Sequence, residues 1–228
     1  MKLLVFLFCF LSLSLLPAEQ KPKENEQKPE TSAEIKLDVN EAAKFLESKE
    51  QILEKWANIK PRKGSAQFKQ KDADMKKTAE EIIDYEFIAR YIIGEKWEST
   101  AVASREKLFN KIKELFTELY LDSTFYNKSY EKKYIDKGVE KLYIKGVRQS
   151  VFITTEVQAS LKGKPVIYEL IYHLHKVDGQ YKIFDIELDT VSMVRNYREQ
   201  FAKNLKDQTV EKLIEMIDKK IKKEKRQK

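Results

Sequence analysis

The stretch VFITTEVQASL, residues Val151 to Leu161, carries a period of two. In an extended chain successive side chains point to opposite faces, so Val151, Ile153, Thr155, Val157, Ala159 and Leu161 share one side. Phe152, Thr154, Glu156, Gln158 and Ser160 share the other. One face is apolar and the other mixed, the pattern of a strand with a single face turned to a core. The neighbouring segments extend the reading. Lys162-Gly163-Lys164-Pro165 is a turn, and a strand from about Val166 to Lys176 follows. Asp178-Gly179 is a second turn, leading into a last strand from Tyr181 to Leu188. Upstream, a short alternation around Leu142 and Ile144 supplies a first strand. Links this short join antiparallel neighbours, so the middle of the chain predicts a curved antiparallel sheet of about four strands.

On both sides of this block the apolar period changes from 2 to about 3.6. Asp38 followed by Glu41 reads as a helix start, with Ala42, Phe45, Leu46, Leu53 and Trp56 inward and a stop before Pro61. A second helix is expected from about Met75 to Ile93, ended by Gly94. Ser104 reads as the cap of a third, whose stripe runs through Leu108, Phe109, Ile112, Leu115, Phe116, Leu119 and Tyr120. After the sheet, Ser192 can cap a helix through Phe201 and Leu205, and a final amphipathic helix carries Val210, Leu213, Ile214 and Ile217. Helices, then a meander, then helices define the α+β class. The arrangement resembles in part the nuclear-transport-factor-like scaffold, in which a curved sheet and its helices enclose an apolar cavity.

At 228 residues and 42% hydrophobic content the chain can bury one sizeable core. Residues 1–18 read as a secretory signal peptide: Lys2, an apolar run from Leu3 to Leu16, then Pro17-Ala18. The run is shorter than the ~20 residues that span a bilayer. Leu16 is larger than the small residue a cleavage site favours, so an uncleaved anchor stays an alternative. Residues 19–37 form a polar segment carrying Pro22 and Pro29, expected to be flexible. Cys9, the only cysteine, lies in the leader, so the mature chain would have no thiol for disulfides, catalysis or metal binding.

The formal charge of +7 is concentrated at one end. Residues 219–228 hold seven Lys/Arg and one Glu, and the remainder carries 37 basic against 36 acidic groups. No nucleic-acid-binding face is indicated. The domain is therefore taken as 38–218, with 219–228 as a basic tail. That tail is either a solvated helix end or a contact for anionic headgroups or an acidic partner. It is expected to be dispensable for holding a ligand.

Chemistry-bearing motifs are missing from the sequence. It contains no phosphate-cradling glycine loop, nucleophile elbow or HExxH pattern. His173 and His175, the only histidines, share a strand face, and Glu156 or Glu169 could stand nearby. A metal site would need a third ligand that the spacing does not require, so no metal is assigned. Asp185 interrupts an apolar strand without a visible catalytic partner. Its expected role is structural, accepting hydrogen bonds from a helix N-terminus or from Arg198. Arg90 and Arg198 read as ion-pair partners or as markers of an anion site.

Several short motifs, weak singly, recur in a specific order. Asp84-Tyr85, Ile88-Ala89-Arg90-Tyr91, Gly94 and Trp97 come first, followed by Arg105-Glu106-Lys107-Leu108-Phe109 and Leu119-Tyr120. Tyr172, Leu174, Lys176, Asp178-Gly179, Tyr181-Lys182 and Asp185 follow, then Val191-Ser192-Met193-Val194, Asn196-Tyr197-Arg198 and Phe201. Together they resemble the MlaC family, also described as toluene-tolerance auxiliary proteins, from about Asp84 to Ile217. Tyr181 stands where that family usually has Trp, and Lys206-Asp207-Gln208-Thr209 lacks its usual glycine pair.

The resemblance implies a monomeric periplasmic carrier, with no enzyme activity and no cofactor, whose cargo is a phospholipid. Its implied partners are an inner-membrane Mla ABC transporter complex and an outer-membrane lipoprotein complex, between which it would maintain outer-membrane lipid asymmetry. Combined with the alternation, it nominates Val151, Ile153, Val157, Leu170, Tyr172, Leu174 and Ile186 on the sheet as lipid-lining residues. Ile88, Ile92, Phe116, Leu119 and Met193 are the helical counterparts. The rival readings are a secreted enzyme on the same scaffold and a ligand-free adaptor.

Overall fold

The computed structural model describes residues 37–57, 59, 61–120, 132–144, 147–161, 164–207 and 209–226. The leader and most of the polar segment expected at 19–37 lie outside them. Among the described residues there are seven helices and five strands. Helix α1 spans Val39–Ala57, α2 Ala66–Ile82, α3 Tyr85–Ile93, α4 Lys96–Ser99 and α5 Val102–Tyr120. Then come β1 Lys132–Ile144, β2 Val147–Leu161, β3 Lys164–Val177, β4 Gln180–Leu188 and the two-residue β5 Val191–Ser192. Helices α6 Met193–Asp207 and α7 Val210–Arg226 close the chain. The class is α+β, as the change of period implied.

The five strands form one curved antiparallel sheet in sequence order. Register confirms the faces read from the alternation. Val151 stands opposite Leu174, Ile153 opposite Tyr172 and Val157 opposite Tyr168. Tyr172 in turn faces Ile186, and Leu174 faces Ile183. Val151, Ile153 and Thr155 are fully buried, whereas Gln158 on the other face is exposed. Helix α1 packs on β1, β2 and α2; α2 and α3 pack on β4, and α6 on β4 and β5. Helix α5 lies against α7 and α3, further from the sheet.

Four expectations about elements are corrected. First, the helix expected over Met75–Ile93 is two helices. Ile83 is extended (φ −98°, ψ 132°) and forms a parallel bridge with Ile183 of β4. Asp84 then accepts from the Phe87 N–H at 2.9 Å and starts α3. An Asp that can satisfy an orphan helix donor restarts the helix where the backbone has turned aside to pair with a strand. Second, α5 begins at Val102, before Ser104, whose hydroxyl instead donates to Glu211 of α7 at 2.9 Å. Third, β1 is 13 residues long instead of a short stretch at Leu142 and Ile144. A register shift between Tyr134 and Asp136 breaks its alternation. Fourth, residues 219–226 of the basic tail are a helix end, the last turns of α7, but not a wholly solvated one: Ile221 is buried in the core and Lys222 pairs with Asp218 at 2.6 Å.

Candidate functional site

The apolar face of the sheet and the helices over it form one contiguous buried cluster. Strand alternation delivers Val151, Ile153, Val157, Leu170, Tyr172 and Leu174 to it, all buried, with Ile186 partly buried beside Tyr172. Helix α3 adds Ile88 and Ile92 from one face, α5 adds Phe116, and the first residue of α6 adds Met193. These nominated residues therefore do converge on one apolar interior. Phe116 meets it from the helical layer, its ring edge-on to Tyr197 of α6 at 5.3 Å between centroids. The side chain of Leu119 lies outside the described residues.

Around this interior the polar groups sort into three clusters. On the far face of the sheet, His173 Nδ1 lies 2.6 Å from Glu140 Oε1, and its Nε2 lies 3.3 Å from Glu187 Oε1. Burial alone would lower the imidazole's pKa, but the hydrogen bond to Glu140 and the nearby Glu187 carboxylate outweigh it and raise it to about 9. His175 Nε2 contacts Asp84 Oδ2 at 2.7 Å, and Phe87 packs edge-on to the His175 ring. The partners of the histidines are thus Glu140, Glu187 and Asp84, not Glu156 or Glu169. No group of three metal-ligating side chains occurs among the described residues.

The second cluster surrounds Asp185. Its carboxylate accepts from the N–H groups of Val194 (3.0 Å) and Ile186 (2.8 Å) and from the Ser192 hydroxyl. Burial raises its pKa above the usual carboxylate range, and these donors oppose the rise. Ser192 caps α6 through the Arg195 N–H at 3.0 Å. Of the two partners expected for Asp185, the helix N-terminus is the one observed. Arg198 instead lies over the Tyr91 ring at 4.5 Å, and Arg90 forms an exposed pair with Glu86 at 2.9 Å.

The third cluster was not anticipated. Glu50, only 4% exposed, follows Ala42 and Leu46 on the core-facing stripe of α1. It pairs with Lys132 at the start of β1, and its second oxygen accepts from the Tyr134 hydroxyl at 2.5 Å. Lys132 Nζ also donates to the Tyr172 hydroxyl at 2.9 Å and sits 4.6 Å from the centre of that ring. Burial lowers the pKa of Lys132 against the pull of Glu50, while burial and the Glu50 charge together raise that of Tyr134. One signal was available: a Glu one turn beyond Leu46, on a stripe of otherwise apolar positions. Nothing in the sequence points to Lys132, because the register shift between Tyr134 and Asp136 hides the first half of β1.

An open antiparallel sheet whose apolar face is closed over by helices, with a polar cluster at its edge, is a scaffold that can enclose an apolar ligand. The MlaC protein family signature matches residues 49–219, and the chain belongs to that family. The solved structure of a phospholipid-binding protein from Ralstonia solanacearum, in complex with a phospholipid, is similar in fold, with a TM-score of 0.61. The two share 16% identity over 80% of this chain and 98% of that one. No curated protein sequence matches the chain. No helix among the described residues is long and apolar enough to cross a membrane.

Proposed function

We propose that this protein is a periplasmic, non-enzymatic phospholipid carrier that moves glycerophospholipid between an outer-membrane lipoprotein complex and an inner-membrane Mla ABC transporter, maintaining outer-membrane lipid asymmetry. Membership of the MlaC family carries the reading. The apolar sheet face with Ile153, Leu174 and Ile88 beneath its helices supports it as an acyl-chain environment. The solved relative in fold, captured with a phospholipid, is consistent with the same cargo.

The physical need is clear. Two acyl chains expose ~30 methylenes at about 0.8 kcal/mol each, so transfer into water is roughly 25 kcal/mol uphill. An apolar protein interior removes most of that barrier and brings exchange with a membrane close to balance, leaving docking partners to set direction. The test is native mass spectrometry of protein released gently from the periplasm. A bound phospholipid mass and loss of the Met1 to Leu16 leader are expected. A ligand-free protein that also takes up no lipid from vesicles, or one retaining the leader, overturns the reading.

A further inference from the structure

The Glu50–Lys132 pair is buried on the same face of the sheet as the apolar residues assigned to the lipid. Lys132 stands opposite Val157, which stands opposite Tyr168. The Lys132 side chain is 17% exposed and that of Glu50 5%. As a stabilising device the pair is a poor choice, because the desolvation of two charges offsets most of their attraction. Its geometry has a different meaning. The Lys132 ammonium and the Tyr134 hydroxyl converge on a single carboxylate, and the ammonium also lies against the rings of Tyr172 (4.6 Å) and Tyr134 (5.4 Å). Two donors at the edge of an apolar interior, the ammonium held in place by two ring faces, form a receptor for one anion.

We propose that Lys132 and Tyr134 bind the phosphodiester of the carried lipid, with Glu50 as an internal anion that competes for the same two donors. The proposal rests on the carrier reading and deepens it by naming the polar end of the site. Exchange of one anion for another explains why a charge sits there at all. Lys132 is compensated whether Glu50 or a lipid phosphate holds it, so loading and unloading never leave the ammonium buried alone. It also ties the lipid site to α1, the helix that carries Glu50. The N-terminal end of α1 has separate ties to β3 and β4: Lys176 to Glu41 at 2.7 Å, and the Tyr181 hydroxyl to the Asp38 carbonyl at 2.8 Å.

The experiment loads the full chain from vesicles containing equimolar dioleoylphosphatidylglycerol and dioleoylglycerol, then quantifies the two bound lipids. The wild type is expected to enrich the phospholipid by about tenfold or more, the effect of a hydrogen bond to a charged group. The double variant Lys132→Met with Glu50→Gln removes both charges together, leaving neither unpaired, and its bound ratio should fall to about one. Glu50→Gln alone keeps the ammonium and removes its competitor, so its ratio should rise several-fold above the wild type. Equal enrichment in wild type and double variant overturns the proposal. So does a folded Glu50→Gln with an unchanged ratio, which decides the matter if the double variant does not fold. If the wild type binds both lipids without preference, the phosphate site fails while the carrier reading stands; if it binds neither, the carrier reading itself fails. Inorganic phosphate in excess tests the same donors by competition: the preference should shrink in its presence, and a preference that the free ion leaves untouched overturns an anion site at Lys132.

Discussion

Asp185 ties the end of β4 to the first turn of α6 by accepting from the Val194 N–H and the Ser192 hydroxyl at once. Replacing it with Ala strands those donors in a buried site and weakens the α6 cap, which costs about 1–3 kcal/mol. Chemical denaturation should show that loss. His173 supplies a different handle. Its folded pKa of about 9 lies above its ordinary 6.5. Its pairing with Glu140 and Glu187 therefore contributes fully below pH ~6.5 and is lost as pH rises through about 9. A shift of that size is worth roughly 3 kcal/mol. Unfolding free energy should fall across that window in the wild type, and the fall should be largely absent in His173→Gln. An equal decline in both proteins would assign it to other groups. Of these residues, Asp185 was legible in the sequence, since a lone acid inside an apolar strand must find donors. The partners of His173 were not, because Glu140 stands 33 positions away on a strand whose register shifts before it is reached.

At the scale of elements, regular alternation was the most readable signal. Strands β2, β3 and β4 lie where period 2 and the Asp178-Gly179 turn put them, because a half-buried strand has no other way to satisfy a core. Of strand β1 only the end around Leu142 and Ile144 is legible, for a physical reason. Ile135 sits at a register shift, and 45% of its surface is exposed, so apolar residues there do not alternate cleanly. The break between α2 and α3 was hidden because Ile82 and Ile88 both suit a helical stripe, and only the bridge from Ile83 to Ile183 interrupts it. Composition misled most at the C-terminus, where seven cationic residues mask one buried apolar anchor. Ile221 is 2% exposed, and the Lys220 ammonium lies 4.3 Å from the Tyr197 ring centre. Truncation after Asp218 should therefore lower stability by about 2–5 kcal/mol, with Ile221→Ala alone accounting for much of it. Thermal unfolding of the two proteins checks this; an unchanged Tm on truncation would mean that Ile221 contributes no packing.

For the molecule as a whole, the open matter is whether the interior between sheet and helices serves acyl chains or only itself. Ile153 is the informative position. It is fully buried, stands opposite Tyr172 of β3 and lies on the face nominated for lipid. In a core closed on itself, an indole at this position has nowhere to go, and overpacking costs about 1–3 kcal/mol or more. In a carrier, the indole occupies volume that an acyl chain would otherwise fill. Ile153→Trp is therefore expected to keep the stability of the delipidated protein within about 1 kcal/mol of wild type while bound phospholipid falls sharply. Both proteins must be delipidated before unfolding, because a ligand bound only to the folded state raises its apparent stability. Lipid quantification on the undelipidated samples supplies the second readout. The pair of measurements separates the cases, since a packed core predicts lost stability with unchanged lipid, the reverse of what a carrier predicts. A strongly destabilised variant that still holds normal lipid would move the acyl chains away from Ile153 and Tyr172, and with them the anion site at Lys132, whose assignment depends on sharing that face.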